Sequence, residues 1–222
     1  MKPNATNLPS YTPKEELLNT ITHLIGLAFS IGLLIFFAVF NITKSNTFAH
    51  MIPYYIYALS MAIVFGVSSA YHSSRFKTKS RAILRIIDHS DIYFFVFGTY
   101  LPLCLYGVTN QTIMIIAIVL QSVFMIAGIL LNIIPSESKT IEIIAYIIYI
   151  VDGWLMLFLY PFKIGMDFNV FLWVLIGGVI YTLGAITYAI GKKRKYFHSL
   201  FHVFVVLGAV AQFIGIYLLL VK

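Results

Sequence analysis

Seven long apolar stretches separated by short polar ones run along this chain. They cover roughly 18–41, 52–73, 86–106, 112–134, 141–162, 168–190 and 197–221. At 1.5 Å per residue each can cross ~30 Å of hydrocarbon as a helix, and none alternates as a membrane β-barrel strand does. Breakers and polar clusters separate them: Asn41 to Ser45, the basic run Arg75 to Arg85, Gly107 to Gln111, Pro135 to Lys139, Lys163 to Asp167, and Gly191 to Lys195. The pattern predicts an all-α integral membrane protein, a seven-transmembrane helix bundle. A polar tail over 1–16 precedes a single seven-helix domain over 17–222.

Composition agrees. With 60% hydrophobic and only 10% charged residues, the chain lacks the ~25% of charge that a soluble domain carries. The net charge of +7 does not signal nucleic acid, because Lys and Arg cluster in the short loops. Counted by side, twelve fall with the N-terminal tail and the second, fourth and sixth connections, and three fall opposite. That asymmetry predicts a cytoplasmic N-terminus and an outside C-terminus, the reverse of a G-protein-coupled receptor. The first apolar run is too long for a cleaved signal core and is expected to stay as an anchor. Cys104 is the only cysteine, which excludes an internal disulfide and a cysteine-based metal site; it is expected to pack inertly. Small residues such as Gly26, Ala28, Ser30 and Gly32, and Gly177, Gly178 and Gly184, allow close helix packing. No internal repeat supports a transporter built from duplicated halves.

Ionisable residues at helix edges carry the chemistry. Ser68 and His72 lie four apart at the end of the second apolar segment, and His198 and His202 four apart at the start of the seventh. Each pair therefore shares a helix face. The third segment opens with Asp88-His89-Ser90-Asp91. The charge-derived topology puts these helix ends at one depth, near the cytoplasmic surface. Zinc is commonly held by imidazole, and catalytic sites keep three protein ligands and a water. His72, His198 and His202 are thus candidate zinc ligands. An aspartate at 88 or 91 would act as general base, and Ser68 would orient a ligand or substrate.

Other ionisable groups point less sharply. His23 suits a cross-helix hydrogen bond or a functional role equally. His89 is expected to pack at the interface, and His50 to lie in an outer loop. Asp152, in mid-segment, must be paired, protonated or facing a cavity. The basic runs 75–85 and 192–195 read as topology determinants that meet anionic lipid.

With Asn19 to His23, Asp88-His89-Ser90, Gly98-Thr99-Tyr100-Leu101-Pro102, Gly153-Trp154, Tyr181 to Ala185 and His198 to His202, nearly the whole chain resembles the hemolysin III family. That family is the bacterial branch of the progestin and adipoQ receptor group, which includes the adiponectin receptors. The resemblance implies seven helices with a cytoplasmic N-terminus and Zn2+ on His72, His198 and His202. It implies Asp88 rather than Asp91 as the third-helix aspartate, and Ser68 as the second-helix serine. Relatives include membrane hydrolases of lipid amides such as ceramides; bacterial members are named for haemolysis and linked to lipid homeostasis. Phe201 stands where Trp is expected between the histidines, and Gln212 where relatives often carry His.

The leading expectation is a zinc-dependent hydrolase cleaving a membrane lipid amide or ester, with Asp88 and Ser68 as its catalytic residues and membrane lipids as its partners. A receptor with structural zinc and a haemolytic pore-former are the alternatives. A secreted pore-former needs a soluble form, which these helices do not offer. Nothing in the sequence names a protein partner.

Overall fold

The computed structural model describes residues 9–44, 47–134, 139–159, 165–191 and 194–222. The chain order is α1 (Pro13–Thr43), α2 (Phe48–Ser73), α3 (Lys79–Pro102), a π-helical turn (Leu103–Gly107), α4 (Gln111–Ile133), α5 (Lys139–Gly153), α6 (Leu155–Leu159), α7 (Phe168–Gly191) and α8 (Phe197–Leu220). Among the described residues there is no strand. The seven apolar segments all fall on these helices, with the fifth divided between α5 and α6. The breaker at 135–138 and the basic residues Lys2, Lys163, Lys192 and Lys193 lie outside the described residues.

Among the described residues five helices, α1, α2, α4, α7 and α8, are long and apolar enough to cross a membrane. The others fall short for identifiable reasons. α3 carries Lys79, Arg81, Arg85, Asp88 and Asp91. The fifth apolar segment is interrupted at Trp154, so neither of its pieces reaches spanning length alone. The lipid-facing character of the long helices is plain from their surface. Only 17% of the most apolar stretch of α4 is buried inside the protein. α1 turns Leu17, Ile21, Ile25, Ile35 and Ile42 outward. Such contiguous apolar surface exceeds what water tolerates on a monomer.

Local signals explain most of the helix starts. Thr12 and Glu15 form a reciprocal capping box with Pro13 in the first turn of α1. Thr47 and Thr78 cap α2 and α3, Asn110 caps α4, and Asp167 accepts from the Asn169 amide at the start of α7. Lys222 donates to the same Asp167 carboxylate at 2.6 Å. This bond holds the group below the usual carboxylate range. α8 differs: Tyr196 at its N-cap adopts φ +65° and offers no side-chain cap. His50, expected in a loop, lies in the first turn of α2, exposed and against the Tyr106 ring. Cys104 is fully buried in the core, as expected.

α2 is the inner helix. Of its most apolar stretch 56% is buried, and Met51, Tyr54, Tyr57, Met61 and Phe65 are all but inaccessible. α1 and α3 pack on either side of it, and α8 pairs with α7 and returns against α1. The N-terminal ends of α1, α3 and α8 thereby surround the C-terminal end of α2. α1 approaches α2 closely at Gly26, where a Cβ would meet the Phe65 ring at 2.7 Å. Since Phe65 is fully buried, the ring has little room to yield. Gly26→Ala is therefore expected to cost about 1–3 kcal/mol and lower the melting temperature of the purified protein by several degrees. An unchanged melting temperature would show that α1 can shift at this point.

Candidate metal centre

Hydropathy and packing bring three imidazoles together at one end of the bundle. His72 stands on the last turn of the inner helix α2, and His198 and His202 on the first turns of α8. All three are buried, His202 to 1% exposure, and one nitrogen of each lies within 4.8 Å of the others. His198 Nε2 is 3.4 Å from His72 Nε2 and 3.1 Å from His202 Nε2. A tetrahedral zinc with Zn–N bonds of about 2.0–2.1 Å separates its ligand nitrogens by roughly 3.3 Å. The donor set therefore fits such an ion. Between any two nitrogens so close, at most one can carry a hydrogen, so lone pairs converge on the centre.

The surrounding groups fix which nitrogen is free. Glu16 Oε2 lies 2.7 Å from His72 Nδ1. Because a carboxylate only accepts, Nδ1–H donates to it and Nε2 presents its lone pair inward. Asn19 Nδ2 is also 3.3 Å from that Nδ1. Both nitrogens being donors there, the shorter carboxylate contact decides the tautomer. Asn19 is oriented in turn by the Ser199 hydroxyl, which donates to its Oδ1 at 2.6 Å. The second oxygen of Glu16 accepts from the buried Arg81 guanidinium, which also donates to the Ser74 carbonyl at 2.6 Å and lies over the Tyr71 ring.

Glu15 serves the other half of the site. One of its oxygens closes the capping box with Thr12, and the other accepts from the Tyr196 amide at 2.8 Å. A left-handed Tyr196 costs about 1–2 kcal/mol, and this charge-assisted bond holds it there. α8 thus begins in a fixed register, two residues ahead of His198. Tyr11 closes the aqueous side: its ring stacks on His198 at 4.6 Å, with an interplanar angle of 16°. Burial pushes the Tyr11 hydroxyl well above its ordinary value and keeps it neutral.

Of the remaining sequence candidates, Ser68 is buried and faces the Asp88 carboxylate. Asp88 lies within electrostatic range of His72, His198 and His23, and 3.5 Å from His89 Nδ1. Asp91 is more deeply buried. Neither of its oxygens has a hydrogen-bond partner among the described residues, and its charged neighbour is Asp88. His23 packs its ring 3.8 Å from that of His202, with no hydrogen bond to either nitrogen among the described residues. Glu15, Glu16 and Tyr11 fall in the stretch read as a polar tail, and Arg81 in a run read as a topology signal. The available clue is the i, i+4, i+8 stripe of Glu15, Asn19 and His23 along one face of α1.

Glu16→Gln keeps a hydrogen-bond acceptor but removes the charge that orients His72. It is expected to weaken zinc binding about 10–100-fold in a competition titration against a chelator, while His202→Ala loses stoichiometric zinc. Wild-type affinity in Glu16→Gln would remove Glu16 from this role.

The family described as haemolysin-III related matches residues 11–213. The hemolysin-3 homolog of Bacillus subtilis is 33% identical over 216 residues, covering 96% of this chain and 97% of that relative. Hemolysin-3 of Bacillus cereus is 31% identical over 207 residues, covering 90% of this chain and 89% of its own. Long apolar helices, the three-histidine cluster and this match over most of its length identify the chain as a multi-pass membrane protein that belongs to the haemolysin III family.

Proposed function

We propose that this protein is a zinc-dependent intramembrane hydrolase that cleaves an amide or ester of a membrane lipid. The observation that carries the reading is the convergence of three imidazole lone pairs beside the Ser68–Asp88 pair at a buried end of the bundle. His72, His198 and His202 would hold the ion, with Glu16 orienting His72. When bound, zinc supplies Lewis acidity and lowers the pKa of a coordinated water to about 7. Asp88 takes up the proton of the attacking water and returns it to the leaving amine or alcohol. Ser68 holds the Asp88 carboxylate in place. Tyr11, stacked over His198, limits bulk water, and the apolar outer faces of the helices place the bundle in lipid.

A second reading has one observation in its favour. The histidines join the last turn of α2 to the first turns of α8, so zinc could act as a clamp in a receptor that performs no chemistry. The two readings part on chelation. A hydrolase loses turnover in proportion to zinc, whereas a clamp loses thermal stability and shows no reaction on any lipid class.

The test uses purified protein reconstituted with mixed lipids, with released fatty acid followed by mass spectrometry. Asp88→Asn is expected to retain zinc and to lose about 10²–10⁴-fold in rate. Turnover that survives in zinc-free protein would overturn the proposal.

The same reading takes the bundle as crossing the membrane seven times, with the histidine end in the cytoplasm. Its support is the distribution of Lys and Arg between the two sides. A reporter fused after Lys222 is then expected to be active only when exported. Activity of a cytoplasm-specific reporter at that position would invert the topology.

A further inference from the structure

A second polar centre lies at the break between α5 and α6, on elements that do not carry the histidines. The helical ladder is interrupted by side chains. The Met156 amide, whose helical partner would be the Asp152 carbonyl, donates to the Tyr100 hydroxyl at 3.0 Å. That hydroxyl donates to the Gly153 carbonyl at 3.0 Å. The Asp152 carbonyl so released accepts from Gln121 Nε2 of α4 at 3.2 Å. Trp154, at the break itself, is held by α7, with Nε1 donating to Thr182 Oγ1 at 3.1 Å. The break is thus built by three neighbouring helices and is not a frayed end.

What this leaves unmatched points to a ligand. Asp152 is 0% exposed and Gln121 1%. Neither carboxylate oxygen of Asp152, nor Gln121 Oε1, has a hydrogen-bond partner among the described residues. Tyr93 and Tyr100 of α3 and Tyr149 of α5 lie within electrostatic range of Asp152. No cationic side chain is paired with it among the described residues. A cavity of about 10 Å³ opens beside the same break, between Tyr100, Gly153, Trp154 and Met156 and the α7 residues Phe171, Val174 and Gly178; neither Asp152 nor Gln121 lines it. A bare carboxylate in so dry a place is too costly to persist unneutralised.

We propose that Asp152 and Gln121 form a binding site for a small monovalent cation, a proton or an alkali ion, at the α5–α6 break. Charge sets the valence: one carboxylate and one monovalent cation make a neutral pair, and a divalent ion would leave a net charge buried. Ligand type sets the class, since carboxylate and amide oxygens suit hard ions and exclude the softer metals that imidazole attracts. Helix interruptions at membrane depth are tolerated where they line a cavity, and in spanning proteins such interruptions present oxygens to ions. The site is independent of the hydrolase reading and survives its failure.

The test compares full-length wild type, Asp152→Asn, Gln121→Leu and Asp91→Asn in detergent. Melting temperature is followed in sodium, potassium and choline chloride at equal ionic strength, and infrared spectra report the carbonyl stretch of a protonated carboxyl. If the ligand is an alkali ion, the wild type melts roughly 5–10 °C higher near saturation than in choline. Asp152→Asn loses that dependence, and Gln121→Leu shifts its midpoint to higher salt. If the ligand is a proton, the salts are equivalent, but the wild type shows a protonated-carboxyl band that Asp152→Asn removes and Asp91→Asn keeps. Should Asp152→Asn fail to fold, Asp152→Glu must move either the band or the alkali midpoint. Equivalent salts together with no band that depends on residue 152 would overturn the proposal.

Discussion

Adjacent carboxylates in the first turn of α1 hold the histidine end of the bundle together. Glu16 bridges His72 of α2 and Arg81 of α3, while Glu15 accepts from the first backbone amide ahead of α8. Four helices thus meet on two neighbouring side chains. The arrangement is strong because it is dry: in low dielectric, charge-assisted hydrogen bonds gain and unpaired ions lose. Arg81 is 2% exposed. Stranding such a buried cation costs about 3–5 kcal/mol, so Glu16 belongs to the fold as much as to the site.

The sequence tells a good deal about helices and little about their partners. Apolar runs show where the helices lie, because membrane helices must satisfy their backbones internally. The same runs conceal which face is inward, since lipid tails and a protein core are equally apolar. Ile25 and Phe37 look alike in α1, yet one is largely exposed and the other has no exposure. His72, His198 and His202 were legible because imidazole is out of place in such runs and four-residue spacing defines a face. Glu15 and Glu16 were not, because acidic residues before a helix ordinarily serve its dipole. Arg81 sits in a basic run whose Arg75, Lys77 and Lys79 are exposed, and only tertiary structure separates it from them. The break at Trp154 was hidden too, since Tyr100 and Gln121 that make it come from other helices.

The two polar centres differ in how their groups are satisfied. Around the histidines, Glu16 joins the Arg81 guanidinium to the His72 ring and Ser199 fixes Asn19 beside it, while His202 Nδ1, Arg81 Nε and both His23 nitrogens have no hydrogen-bond partner among the described residues. Around Asp152 the backbone groups are paired, and the side-chain oxygens have no partner among the described residues. The charge-assisted bond from His72 to Glu16 gives rigidity, as suits a residue whose lone pair must stay aimed at one point. Vacant acceptors beside a broken helix give a centre whose state depends on what it takes up.

The Glu15–Tyr196 bond also has a meaning in time. Its partners are 181 residues apart, and the histidine cluster likewise joins residue 72 to residues 198 and 202. A ribosome must deliver nearly the whole chain before either link can close. Until α8 is inserted, Glu15 has no Tyr196 amide to accept from, and His72 lacks both of its companions. Ion capture at this cluster would therefore mark the completion of biosynthesis, and an aborted chain ending before α8 would carry one histidine of the three.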